Sequence, residues 1–150
     1  MSPNSAFHLY EIHCEAQTRT VSLRTIPTPS VSSVLLTHGS GKAEVEDWTC
    51  RWRRSDQGGT SRAVFSAFCD ALQADVDKRS GGEPQLVGLH LQGDAKLFGV
   101  VTKGGPSIQG TLPNGGMYFA AAIDWRDELF QRVRPDGSLV KSAQRHARPE

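Results

Sequence analysis

The chain has 150 residues, a length that suits one domain with one core, and its 37% hydrophobic content permits such a core. A formal net charge of +1 excludes a global electrostatic pull toward nucleic acid or an anionic membrane, and no run approaches the roughly 18 apolar residues of a membrane-spanning helix. Cys14, Cys50 and Cys69 form neither a CxxC pair nor a zinc pattern and read as buried, reduced thiols.

Residues 1–6 are polar and expected to be loose. Residues 1–9 lack the basic start and apolar run of a secretory signal, so a cytoplasmic location is expected. Residues 7–14 alternate, with Tyr10, Ile12 and Cys14 on one face and Phe7, Leu9, Glu11 and His13 on the other. Residues 20–26 continue as a second strand, with 15–19 as the hairpin loop. Pro27 and Pro29 end the unit, because proline cannot donate to a ladder. Residues 31–37 hold Val34, Leu35 and Leu36, an apolar run of strand length. His38-Gly39-Ser40-Gly41-Lys42 looks like the end of a phosphate-binding loop, but the full spacing is absent and no hydroxyl follows Lys42. A surface turn is expected there, followed by a solvated acidic run of Glu44, Glu46 and Asp47.

Residues 48–54 read Trp-Thr-Cys-Arg-Trp-Arg-Arg. As a strand, this run would turn Trp48, Cys50 and Trp52 to the core and Thr49, Arg51 and Arg53 to water. That separation argues against a base-stacking platform, which needs both residue types on one side. Arg51, Arg53 and Arg54 are the candidate partner-binding residues, since the planar guanidinium fork pairs bidentately with carboxylates.

Residues 60–79 predict the main helix. Thr60 or Ser61 can cap it, and Val64, Phe65, Phe68, Leu72 and Val76 recur at spacings of three and four. Lys78 and Arg79 suit its end, and Gly81, Gly82 and Pro84 would stop it. A hairpin follows, with strands at 86–92 and 96–103 around Gly93-Asp94. Residues 104–116 form a glycine-rich loop, long for a compact domain, in which Ser107, Gln109 and Asn114 are the candidate site residues. Residues 117–123 read as a strand and 125–133 as a short helix placing Trp125, Leu129 and Val133 on one face. Pro135-Asp136-Gly137 is a turn. Residues 138–150 read as a basic, disordered tail.

The predicted fold is therefore α+β: an antiparallel sheet of about six strands, with helix 60–79 on one face and helix 125–133 near its edge. Residues 1–137 form the domain. None of His8, His13, His38, His90 or His146 falls in a metal pattern, and Gly39-Ser40-Gly41 is not a nucleophile elbow. No catalytic residue, metal or cofactor is expected. The residues point first to a small non-enzymatic binding or regulatory protein acting through a protein partner. A small hydrolase-like enzyme with its site near the 104–116 loop is the alternative, and a nucleic-acid-binding protein the third.

Overall fold

The computed structural model describes residues 7–88, 96–111 and 123–149. The chain runs β1 (Leu9–Glu15), β2 (Thr20–Ile26), α1 (Lys42–Arg53), α2 (Ser61–Gln73), β3 (Val87–Gly88), β4 (Lys96–Thr102), β5 (Gly105–Ile108) and β6 (Asp124–Asp127). This is an α+β fold, as expected. Residues 1–6, strand positions 89–92, the Gly93-Asp94 turn, Asn114 and the strand read at 117–122 lie outside the described residues.

The first hairpin forms where the alternation placed it. β1 and β2 pair antiparallel from Leu9↔Ile26 to Glu15↔Thr20, and Arg19 closes the loop at φ +53°.

Residues 48–53 are not a strand but the second half of helix α1. Alternation over Trp48, Cys50 and Trp52 also places Trp48 and Trp52 four apart, one above the other on a helix face. The preceding Lys-Ala-Glu-Val-Glu favours helix, and its Glu44 reaches forward to accept from Trp48 Nε1 at 2.9 Å. Glu44 sits in the first turn and Arg51 and Arg53 in the last, an order that suits the helix dipole. Trp52 is buried and Trp48 half-buried, whereas Cys50 is exposed.

α2 starts as predicted, with the Thr60 side chain accepting from the Ala63 N–H at 3.2 Å. It ends at Gln73, six residues early. Asp75 turns to φ +50° and its N–H reaches the Leu72 carbonyl at 3.3 Å, a left-handed termination. Asp77 then takes hydrogen bonds from Ser40, Arg79 N–H and Ser80, which favours local turns over further helix. Val76 consequently lies exposed, and Gly81 and Gly82 are not the stop.

β4 anchors the second sheet. It pairs antiparallel with β3 and β5 and parallel with β6, Phe98↔Asp124 through Val101↔Asp127. The strands thus form two sheets rather than one, and one pairing is parallel. Gly99 sits in β4 because a Cβ there would stand 2.3 Å from the Trp125 ring.

Residues 125–133 are not a helix. They form β6 and a turn whose far arm returns through the Arg126↔Arg132 bridge. Asp127 Oδ1 accepts from the N–H groups of Leu129 and Gln131 at 3.0 and 2.8 Å, a side-chain clasp that competes with helix. Phe130, at φ +61°, is held there with its ring 5.4 Å from Phe65 and 6.4 Å from Phe98.

Three apolar clusters build the core. Trp52 packs on Ala63 and Ala67 between the helices, Phe65 and Cys69 pack on Val100 of β4, and Ile108, Trp125 and Val133 pack together on the second sheet. α2 therefore lies between α1 and that sheet. Among the described residues, none before Trp48 belongs to any of the three. Phe65 is buried but Phe68 only half so, so the buried face of α2 is rotated from the one predicted. Phe65→Ala should cost about 3–5 kcal/mol and Phe68→Ala less than half as much, compared by urea midpoints. Equal losses would place Phe68 on the buried face with Phe65.

Described residues of the segment expected to be a disordered tail contact the rest of the chain. Leu139 packs in the third cluster, Val140 N–H bonds the Arg132 carbonyl at 3.1 Å, and His146 N–H bonds Gln131 Oε1 at 2.8 Å.

Candidate functional site

Residues 31–37 belong to no helix or strand. Pro27 and Pro29 interrupt any continuation of the β2 ladder. Among the described residues, hydrogen bonds tie the stretch near its ends, by Thr28 Oγ1 to the Phe7 carbonyl at 3.3 Å and Thr37 Oγ1 to Glu46 Oε1 at 3.0 Å. Among the described residues, no backbone–backbone hydrogen bond involves residues 29–38. Val64 of α2 lies beneath this stretch, and hollows open on either side. One, of about 610 Å³, is walled by Phe7, Leu9, Val31, Leu35, Val64 and Val87. The other, of about 300 Å³, is walled by Val31, Val34, Thr49, Trp52, Val64 and Arg53.

Of the predicted basic residues, Arg53 lines this groove. Arg51, Arg53 and Arg54 are all exposed at the C-terminal end of α1. Arg51 lies over the Trp48 ring at 4.5 Å, a stack that three-residue helical spacing allows and strand alternation does not. None of the three joins an ion pair among the described residues.

The loop candidates do not converge. Ser107 is buried in β5, its hydroxyl donating to the Val100 carbonyl at 3.4 Å. Gln109 is exposed in a turn at φ +51°, and Asn114 lies outside the described residues. Beside Gly104 a cavity of about 330 Å³ is walled by Cys69, Gln73, Glu83, Lys103 and Glu128. Burial pushes the Cys69 thiol far up, and the charges of Glu128 and Asp70 push it further. A thiol so held is a poor nucleophile.

The turn at Gly39-Ser40-Gly41 already faces an anion, the Asp77 carboxylate. Ser40 and Ser80 donate to Asp77 Oδ2 at 2.5 and 2.7 Å. Those hydrogen bonds hold the Asp77 carboxyl below the usual carboxylate range. This carboxylate lies beside Gly41 at the start of α1, where a phosphate would otherwise approach. The stretch is a turn, as read from its spacing.

One charged cluster has no local signature in the sequence. Asp70, 5% exposed, accepts from Trp52 Nε1 at 2.8 Å and Arg148 Nε at 2.9 Å. Arg148 also reaches Glu128 at 3.2 Å and Gln73 at 3.4 Å. Burial alone would favour its neutral form, but the bonds and charges of Asp70 and Glu128 outweigh that and raise its pKa.

Among the described residues, no group of three or more His, Cys, Asp or Glu side chains is placed to hold a metal ion, and no helix is long and apolar enough to cross a membrane. No protein-family model, curated protein or solved structure matches this chain.

Proposed function

We propose that this chain is a non-enzymatic binding protein that takes an extended, acidic segment of a protein partner into the groove along residues 31–37. One observation carries the reading: among the described residues, a stretch of backbone outside any helix or strand makes no backbone–backbone hydrogen bond, and it runs between apolar walls beside Arg53, which no described carboxylate pairs. Backbone groups of this kind accept an added strand, and pockets alongside select its alternate side chains. Arg51, Arg53 and Arg54 would steer an acidic segment in and set its direction. The exposed free thiols of Cys14 and Cys50 suit a reducing compartment such as the cytoplasm.

The test is fluorescence anisotropy with two labelled peptides of equal length, one alternating leucine with glutamate and one alternating leucine with lysine. The glutamate peptide should bind, more weakly as salt rises. Arg51→Glu, Arg53→Glu and Arg54→Glu together should weaken it roughly tenfold or more while leaving the melting temperature near wild type. Equal binding of both peptides, or no response to the triple reversal, would remove the arginines from the site.

A further inference from the structure

The register of β1 and β2 puts Tyr10, Ile12 and Cys14 on one face of the ribbon with Val21, Leu23 and Thr25. This face points away from the rest of the molecule. Tyr10 is 53% exposed, Ile12 66%, Val21 70% and Leu23 64%. The opposite face carries Glu11 paired with Arg24 at 2.7 Å, and half-buries its Leu9–Ile26 base. An amphipathic antiparallel pair normally turns its apolar face to the core and its polar face to water; here the order is reversed. A lone two-stranded ribbon is marginal in water, and none of its residues joins the core clusters.

We infer that this face is covered by the same face of a second copy of the chain, in a two-fold dimer. A two-fold interface must be complementary to itself. This face carries no charged side chain, so a copy meets no like charge across the axis. A second copy is also present wherever the chain is, which a cover needed for the ribbon's own stability requires. Two ribbons of seven-residue strands, each about 24 Å long, stack at about 10 Å. They would bury roughly 1,000 Å² in total, the low end of specific interfaces and the size of a weak, reversible dimer. The inference is independent of the groove at residues 31–37.

Sedimentation equilibrium on the full chain tests it, with alkylation of the two exposed cysteines as a second readout. The chain should dimerise at micromolar concentrations, and Cys14 should become slower to alkylate as concentration rises while Cys50, on α1, does not change. Ile12→Glu with Leu23→Glu should weaken the dimer roughly 100-fold or more, because both charges would be left in its apolar centre. His13→Glu, on the opposite face, should leave it intact. Diluted until both are monomeric, the double variant and the wild type should share one far-UV spectrum. A chain that stays monomeric throughout the micromolar range would overturn the inference. So would a dimer that survives the double variant, or a Cys14 rate in the wild type that is independent of concentration.

Discussion

Trp52→Ala should lower stability by about 3–5 kcal/mol, a large share of the roughly 5–15 kcal/mol that holds a domain of this size together. Trp52 is 1% exposed and fills the space over Ala63 and Ala67 with Trp48 and Leu129 around it. The two alanines make room for the ring, and nothing on α2 can refill it. The substitution also takes a donor from Asp70, itself nearly buried. Trp52→Phe separates the two effects: it keeps most of the apolar volume but loses the N–H, and should cost about 1–3 kcal/mol. Trp48, half-buried on the same face of α1, should tolerate alanine better than Trp52 does. Urea denaturation measures all three. A midpoint unchanged in Trp52→Ala would mean that α1 does not pack on α2.

Arg148→Ala should cost about 1–3 kcal/mol. A fully buried pair broken on one side costs more, about 3–5 kcal/mol, but the Arg148 side chain is 43% exposed and solvent screens part of the interaction. For a chain of this length the melting temperature should fall by roughly 2–4 °C per kcal/mol. Truncation before Ser138 should cost more, since it also removes Leu139 from the third cluster. Lys141→Ala, at an exposed residue, is the control and should have little effect. Acid should act in the same direction as Arg148→Ala. Burial, with the charge of Arg62, holds the His146 imidazole below its usual value of 6.5. As pH falls below that value, the undocked segment binds more protons than the docked one, so docking loses stability on acidification. A melting temperature unmoved by Arg148→Ala would return the segment to the loose tail that its composition suggests.

The legible parts of this fold are those in which a local pattern has only one solution. Strict alternation around residues 16–19 gives the first hairpin, and Thr60 before an apolar stripe gives the start of α2. Trp48, Cys50 and Trp52 fit both a period of two and a spacing of four, and only the helix-forming residues before them decide for α1. The end of α2 turned on Asp75 and Asp77, whose side chains take local hydrogen bonds that outcompete Gly81 and Gly82 as terminators. Trp125, Leu129 and Val133 match a helical stripe, but Asp127 clasps the chain into a turn and β6 finds a parallel partner in β4, far back in the sequence. Arg148 and Asp70 stand 78 residues apart, so no local window contains both. Of the candidate site, the arginines were visible in composition. The groove was not, because it depends on residues 31–37 remaining without the strand partner their sequence suits.

Amide hydrogen exchange over residues 30–37, with and without the glutamate peptide, tests the central claim most directly. In the free chain these amides should exchange at nearly unprotected rates, since none has a backbone partner among the described residues. Saturating peptide should protect alternate amides along the stretch, the pattern of an added strand. Amides already protected in the free chain, or unchanged while the peptide is bound, would contradict a groove that recognises its partner through this backbone.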